Sequence, residues 1–141
     1  MPVGEWWGLF CREDMYDFLF ELPRIPGTSA DGVFFLPPPV LELGFDEGLW
    51  SEINEQTGLL FDLGEEEEID PHISEKIVQN IQRVANNYEE SDSVISRVVG
   101  QSNGKDIVVS MAAKDFSKWL MKLASFLKSE ALINNRVYAI F

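Results

Sequence analysis

Residues 113–131 carry the pattern that most restricts how this chain folds. Apolar side chains recur there every three or four positions, namely at Phe116, Trp119, Leu120, Leu123, Ala124 and Leu127. This spacing places them along one side of an α-helix, while Lys114, Lys118 and Lys122 fall on another face. We therefore predict a helix over residues 113–131 with one apolar and one lysine-lined side.

The segment before this helix has the signature of a β-hairpin. Two β-rich runs, Val94 to Gly100 and Lys105 to Met111, flank the residues Gln101-Ser102-Asn103-Gly104. Asparagine and glycine both tolerate a positive φ, which a tight turn between two strands requires. The pattern predicts two antiparallel strands joined at Asn103 and Gly104.

Another helix is predicted to begin at residue 70. Aspartate is a favoured N-cap and proline suits the first helical position, as in Asp70-Pro71. The apolar face continues to about residue 89 and consists of Ile73, Ile77, Ile81, Val84, Ala85 and Tyr88.

The remaining segments are shorter. Strands are predicted at Glu5–Phe10, Gly32–Leu36, Val40–Phe45, Leu59–Leu63 and Arg136–Phe141, the last of them pairing inside a sheet. A helix over residues 13–22, with Met15, Phe18, Leu19 and Leu22 on its apolar side, ends at Pro23. A loop follows as far as Gly32, and a further short helix is predicted over residues 47–56. Glu65–Glu68 is interpreted as a solvated acidic loop.

Hairpins mixed with separated helices favour the α+β class. We expect a mostly antiparallel or mixed sheet with about three helices, carried on one face. The 141 residues lie in the size range of one compact domain, and neither an internal repeat nor a long linker divides them. Residues 1–141 are therefore predicted to form a single domain.

The composition is that of a folded protein of the cytoplasm. Hydrophobic residues make up 45% of the chain, too many for a disordered acidic segment. No apolar run approaches the roughly 18 residues that cross a bilayer, and the N-terminus lacks the pattern of a signal peptide. A single cysteine, Cys11, excludes an internal disulfide and is expected to be a small packing residue.

Charge is distributed unevenly along the chain, whose net charge is −13. Residues 25–75 contain thirteen acidic residues and no lysine or arginine, whereas residues 76–141 contain nine basic and six acidic ones. A chain polarised in this way is expected to present a negative face.

Several classes of chemistry are disfavoured by the residue inventory. A transition-metal site or an activated nucleophile would have to rely on His72 and Cys11 alone, and the glycine motifs of nucleotide-binding loops are absent from the sequence. The net charge repels nucleic acid, for which the three lysines of residues 113–131 are the only candidate contact. We predict no enzyme activity, no cofactor, no metal and no contact with nucleic acid or membrane.

The acidic middle of the chain is the candidate functional region. Carboxylates steer and pair with lysine and arginine, and nearby aromatic side chains anchor an interface, so this composition suits a basic protein partner. The predicted partner-binding residues, with Trp50 as a possible anchor, are Glu42, Asp46, Glu47, Trp50, Glu52, Glu55, Asp62, Glu65, Glu66, Glu67 and Glu68.

In size, acidity and single-domain α+β build, the chain resembles the immunity proteins of bacterial contact-dependent growth inhibition and other polymorphic toxin systems. The resemblance concerns these general properties over the whole chain, and no functional position is carried over from it. It implies a partner that is the C-terminal nuclease domain of a toxin, blocked at or beside its basic active site.

Two other functions remain open from the sequence. An acidic adaptor or DNA-mimic regulator would bind basic host proteins broadly, whereas an immunity protein would prefer one toxin. A small enzyme that uses clustered carboxylates and Mg²⁺ would be stabilised by that ion. The sequence leaves open the identity of the partner, the acids that contact it and the oligomeric state.

Overall fold

Seven strands and five helices make up residues 5–141, the part of the chain that the computed structural model describes. The strands are β1 (Gly8–Arg12), β2 (Gly27–Ala30), β3 (Val33–Leu36), β4 (Glu66–Ile69), β5 (Val94–Ser102), β6 (Lys105–Ala112) and β7 (Val137–Ile140). The helices are a 3₁₀ helix (Glu13–Glu21), α1 (Pro38–Asp46), α2 (Leu49–Thr57), α3 (Pro71–Asn86) and α4 (Ala113–Leu132). None of these helices is long and apolar enough to span a membrane.

The predicted α+β class is confirmed, with five helices in place of about three. Five strands form an antiparallel sheet in the order β2-β3-β1-β7-β4, and β5 and β6 form a separate antiparallel hairpin. The strand predicted near residue 141 is confirmed and lies inside the sheet, where Ile140 pairs with Leu9 on one side and Glu66 on the other.

Successive side chains of the sheet belong to two different cores. Phe10, Phe34 and Ala139 face the α-helices and join the larger buried cluster. Leu9, Cys11 and Phe35 face the opposite side, where the 3₁₀ helix covers them with Leu19. The expectation that helices cover one face only is therefore wrong.

An aromatic cluster fills the centre of the larger core. The centroid of the Trp50 ring lies 5.1 Å from that of Phe141 and 6.1 Å from that of Phe61. The indole Nε1 donates a hydrogen bond to the carbonyl of Leu41 at 3.0 Å. Gly44 permits this approach, because a Cβ added there would lie 2.7 Å from Trp50 Cε2. The short helices α1 and α2 are thereby held against each other.

The strand predicted at Val40–Phe45 is wrong, because these residues belong to helix α1. The proline run ends β3 at Leu36, as predicted, and also starts a helix, because Pro38 occupies the first turn, where its missing N–H has no helical partner to lose. Because apolar residues lie on nearly every side of α1, its sequence lacks the periodicity that distinguishes a helix from a strand.

The strand predicted at Leu59–Leu63 is also wrong. Side chains from other segments bond to the backbone of these residues in place of a neighbouring strand. The Asn54 amide accepts from Phe61 N at 2.7 Å and donates to Phe61 O at 3.2 Å. The Glu67 carboxylate accepts from Leu60 N at 2.8 Å. The strand lies further on, at Glu66–Ile69, in place of the predicted acidic loop. Likewise β2 lies in the segment predicted as a loop after Pro23.

The predictions for the second half are confirmed. The Asp70 carboxylate accepts from His72 N at 2.9 Å and caps α3. Asn103 and Gly104 turn the hairpin with φ values of 53° and 76°. Helix α4 covers the predicted range with its apolar face buried. The short helix predicted over residues 47–56 corresponds to α2.

Cys11 gives a first testable prediction. It is fully buried, and its burial raises the pKa of the thiol to about 11, with Glu66 and Asp14 acting in the same direction. Because the thiolate is the reactive form, we expect negligible modification by a maleimide at pH 8 in the native state and complete modification in denaturant. Native-state labelling at the rate of an exposed thiol would show that the sheet opens at β1.

Candidate acidic interface

Two of the residues predicted to bind a partner lie in the interior. Trp50 has no exposed surface, and Glu42 is 5% exposed on α1. Trp50 therefore acts as a core residue in this fold, and its predicted role as a surface anchor is corrected. The misassignment arose because the acidic residues around Trp50 in the sequence do not indicate whether its side chain faces the solvent or the core.

The charge polarity along the sequence is partly neutralised in space. Arg97 on the hairpin contacts Asp46 at 3.1 Å and Glu47 at 3.4 Å. Arg83 on α3 pairs with Glu52, and Arg136 pairs with Glu68 at 2.7 Å. Basic residues of the second half thus reach back to the acidic middle.

Glu47 has a further partner inside the fold. Tyr88 OH donates to its carboxylate at 2.5 Å, and burial together with this bond raises the pKa of Tyr88 to about 12. Asp46, Glu47 and Glu52 therefore join α1 and α2 to the hairpin and α3. We assign them a structural role.

The other predicted acids are divided among several elements. Glu55 is exposed on α2, and Asp62 accepts from Leu63 N at 2.8 Å within its loop. Glu67 is bonded to Leu60 N, and Glu65 is exposed just before β4. The predicted residues are thus spread over α1, α2, the loop after α2 and β4.

Two of the acids on β4, Glu66 and Glu68, do face a second group of acids. Strand alternation places them on the side of the sheet that the 3₁₀ helix covers, since they pair with Ile140 and Tyr138 of β7. Tyr16 OH, from the 3₁₀ helix, lies 3.0 and 2.8 Å from the two carboxylate oxygens of Glu66. This contact joins the helix to the edge strand.

A cavity of about 370 Å³ opens at this contact and is lined by Glu13, Tyr16, Asp17, Glu66 and Tyr138. Its lining contains three carboxylates and no basic group. The two tyrosine rings stand edge to face, with centroids 5.2 Å apart. The pKa of Tyr16 is raised mainly by its bond to Glu66, and that of Tyr138 is raised by burial and then by Glu68 and Glu13, against the opposing effect of nearby Arg136. The cavity therefore favours positive charge.

The 3₁₀ helix also carries two exposed phenylalanines, close in sequence to the helix residues that line the cavity. Phe18 is 54% exposed and Phe20 60% exposed, while Leu19 between them is fully buried. The sequence placed Phe18 on the apolar face of an α-helix, which is wrong, because the three-residue period of a 3₁₀ helix aligns Tyr16, Leu19 and Leu22 instead. Arg24 stacks over the Phe20 ring at 5.9 Å.

We use the name acidic–aromatic surface for the five cavity residues together with the two exposed phenylalanines of the same 3₁₀ helix: Glu13, Tyr16, Asp17, Phe18, Phe20, Glu66 and Tyr138. Carboxylates beside tyrosine rings suit a lysine or arginine side chain, by ion pairing and by cation–π contact. Exposed phenylalanines suit an apolar cleft in the same partner. Only Glu66 of this set was predicted from the sequence; the run Phe18-Leu19-Phe20 was the available signal, since three adjacent residues cannot all face one core.

Neither a metal site among the described residues nor a related protein was found that would assign a function to this surface. Among the described residues, no group of three or more histidine, cysteine, aspartate or glutamate side chains is arranged to hold a metal ion. His72 is exposed in the first turn of α3. Comparison with family models, with curated proteins and with solved structures finds no match to this chain.

Proposed function

We propose that this protein binds a basic protein partner through the acidic–aromatic surface. The cavity between the 3₁₀ helix and β4 carries the proposal, because it combines three carboxylates with two tyrosine rings and no basic group. A lysine or arginine of the partner would enter it, and Phe18 and Phe20 would pack beside it. Such an arrangement accelerates encounter through charge and stabilises the complex through its buried anchors.

The partner that we propose is the nuclease domain of a toxin, and the protein would act as its cytoplasmic immunity protein. A nuclease holds phosphates with lysine and arginine, so its active site is positive. Carboxylates that occupy that site would replace the phosphates and exclude the substrate. An adaptor for basic host proteins would use the same surface with less selectivity, and the two are separated by the experiment below.

The test is coexpression with the C-terminal domain encoded by the gene immediately upstream, followed by size exclusion and calorimetry. We expect a 1:1 complex and loss of that domain's toxicity. The double variant Asp17→Lys/Glu66→Gln should weaken the complex about 100-fold, because it removes two carboxylates from a desolvated contact.

The matched control is the double variant Glu55→Lys/Glu75→Gln, which changes the charge at exposed acids of α2 and α3 by the same three units. We expect it to alter affinity less than about threefold at physiological salt, where distant charges are screened. An equal loss in both variants would replace the defined surface with general electrostatic attraction. Absence of a complex and of protection would refute the immunity role, and retention of many basic proteins from lysate would favour the adaptor.

A further inference from the structure

A second surface of different character lies on the other side of the sheet, between β2 and α4. It is a groove of about 1050 Å³. Its residues on α4 extend from Lys114 to Glu130. At 1.5 Å per residue this corresponds to about 24 Å, the length of about seven residues of extended chain.

One wall of the groove includes the edge of the sheet. β2 pairs with β3 alone, so no strand of residues 5–141 lies along its outer edge. Gly27 and Thr28 of this strand line the groove, and Thr28 is exposed. An open edge next to a helix accepts an extended peptide as an additional strand. The irregular register between Gly27 and Ala30 limits such pairing to a few residues.

The opposite wall carries a row of ammonium groups from Lys114, Lys118 and Lys122, all exposed. Positions four apart on a helix are separated by about 6 Å along its axis, and alternate side chains of an extended strand by about 6.6 Å. Three lysines spaced in this way therefore match acidic side chains at every second position of a bound strand.

The groove is lined by three acids, Asp31, Glu89 and Glu130, as well as by the three lysines, so its positive charge is confined to the lysine row. Asp31 already pairs with Arg12 at 3.4 Å, and Glu130 accepts from the Asn135 amide at 2.8 Å. Lys114 contacts Asp92 at 2.9 Å, an exposed pair of the kind that contributes little and exchanges readily. The remaining acid, Glu89, directly follows Tyr88, whose ring packs against Phe116 in the first turn of α4.

We propose that this groove binds an extended, acidic segment of another protein, whose backbone pairs with β2 and whose alternate carboxylates contact Lys114, Lys118 and Lys122. A nucleic acid strand fits less well. Its affinity for proteins draws on stacking against exposed aromatic rings, and the two aromatic residues that line the groove, Phe34 and Phe126, are buried. The ring of the half-buried Trp119, which lies beside Gly27, is covered by the Lys122 ammonium group at 4.7 Å. The groove site is independent of the acidic–aromatic surface and does not rest on the function proposed for it.

The probe is a labelled heptapeptide in which glutamate alternates with valine and threonine, compared with an isomer whose glutamates are contiguous. We expect the alternating peptide to bind at least tenfold more tightly in a fluorescence polarisation assay and to shift the NMR amide signals of β2 and α4. N-methylation of one alternate set of peptide amides should abolish binding, while methylation of the other set should not, since only one set faces β2.

Lys118→Glu should weaken binding of the alternating peptide about tenfold or more. Lys128→Glu provides the matched control, because Lys128 is exposed on the same helix but lines a different cavity, with residues of α3. Equal binding of the two peptides, an equal effect of the two lysine variants, or no binding at millimolar peptide would overturn the proposal. So would tighter binding of a single-stranded oligonucleotide that Lys118→Glu abolishes.

Discussion

Replacing Trp50 with alanine is expected to lower the free energy of unfolding by about 3–5 kcal/mol, the usual cost of removing a large buried aromatic side chain. The loss has two sources. The ring is fully buried among Phe45, Phe61 and Phe141, so its removal leaves a cavity that these rings cannot fill without moving. The Leu41 carbonyl also loses its 3.0 Å bond to the indole. Urea denaturation followed by circular dichroism measures the change.

Trp50→Phe is the milder control for the same site. It keeps an aromatic ring but removes the indole N–H, and we expect a loss of about 1–3 kcal/mol from the unsatisfied carbonyl and the smaller volume. Partner affinity of the folded protein should be unchanged. If Trp50→Ala instead left stability intact and abolished partner binding, Trp50 would be the surface anchor that its acidic sequence context suggested.

Phe18 and Phe20 are expected to behave in the opposite way. The double variant Phe18→Ala/Phe20→Ala should change the free energy of unfolding by less than about 0.5 kcal/mol, because both rings are more than half exposed. It should weaken the complex with the basic partner about 30-fold, equivalent to about 2 kcal/mol for an aromatic anchor. Unfolding curves and calorimetric titration of the same preparations provide the two values.

Leu19→Ala is the control for this pair, since Leu19 lies between the two phenylalanines and is fully buried. We expect it to destabilise the fold by about 2–5 kcal/mol. If the double phenylalanine variant binds the partner with unchanged affinity, the proposed contact involves only the cavity residues. A large destabilisation by that variant would mean that the rings pack against the protein in solution.

The elements that the sequence predicted correctly have signals contained within a few residues. Asp70 and Pro71 specify the start of α3 locally, and Asn103 and Gly104 specify the hairpin turn. Residues 59–63 differ, because their state depends on Asn54 and Glu67, which take their backbone hydrogen bonds. Side chains that bond to the backbone in place of a neighbouring strand leave no repeating pattern in the sequence, so this competition could not be predicted.

The candidate site was predictable in charge but not in position. An excess of acids in residues 25–75 is plain in the sequence, yet Arg97 and Arg136 neutralise part of it from the second half of the chain. Tyr16 and Tyr138 meet Glu66 only because β7 lies between β1 and β4. Contacts so distant along the chain are fixed by topology, which composition does not report.

The position of β7 also determines the order in which the native contacts can form. The hairpin and the packing of α3 against α4 join neighbouring parts of the chain and close short loops, whereas β1 can pair with β7 only after almost the whole chain has closed on itself. Until then, β4 has no strand to pair with. Like charges repel when two such strands approach, so we expect the glutamates to disfavour pairing of β4 with the edge of another molecule. We therefore expect the acids of β4 to disfavour aggregation of the folding chain, independently of the binding role proposed for Glu66.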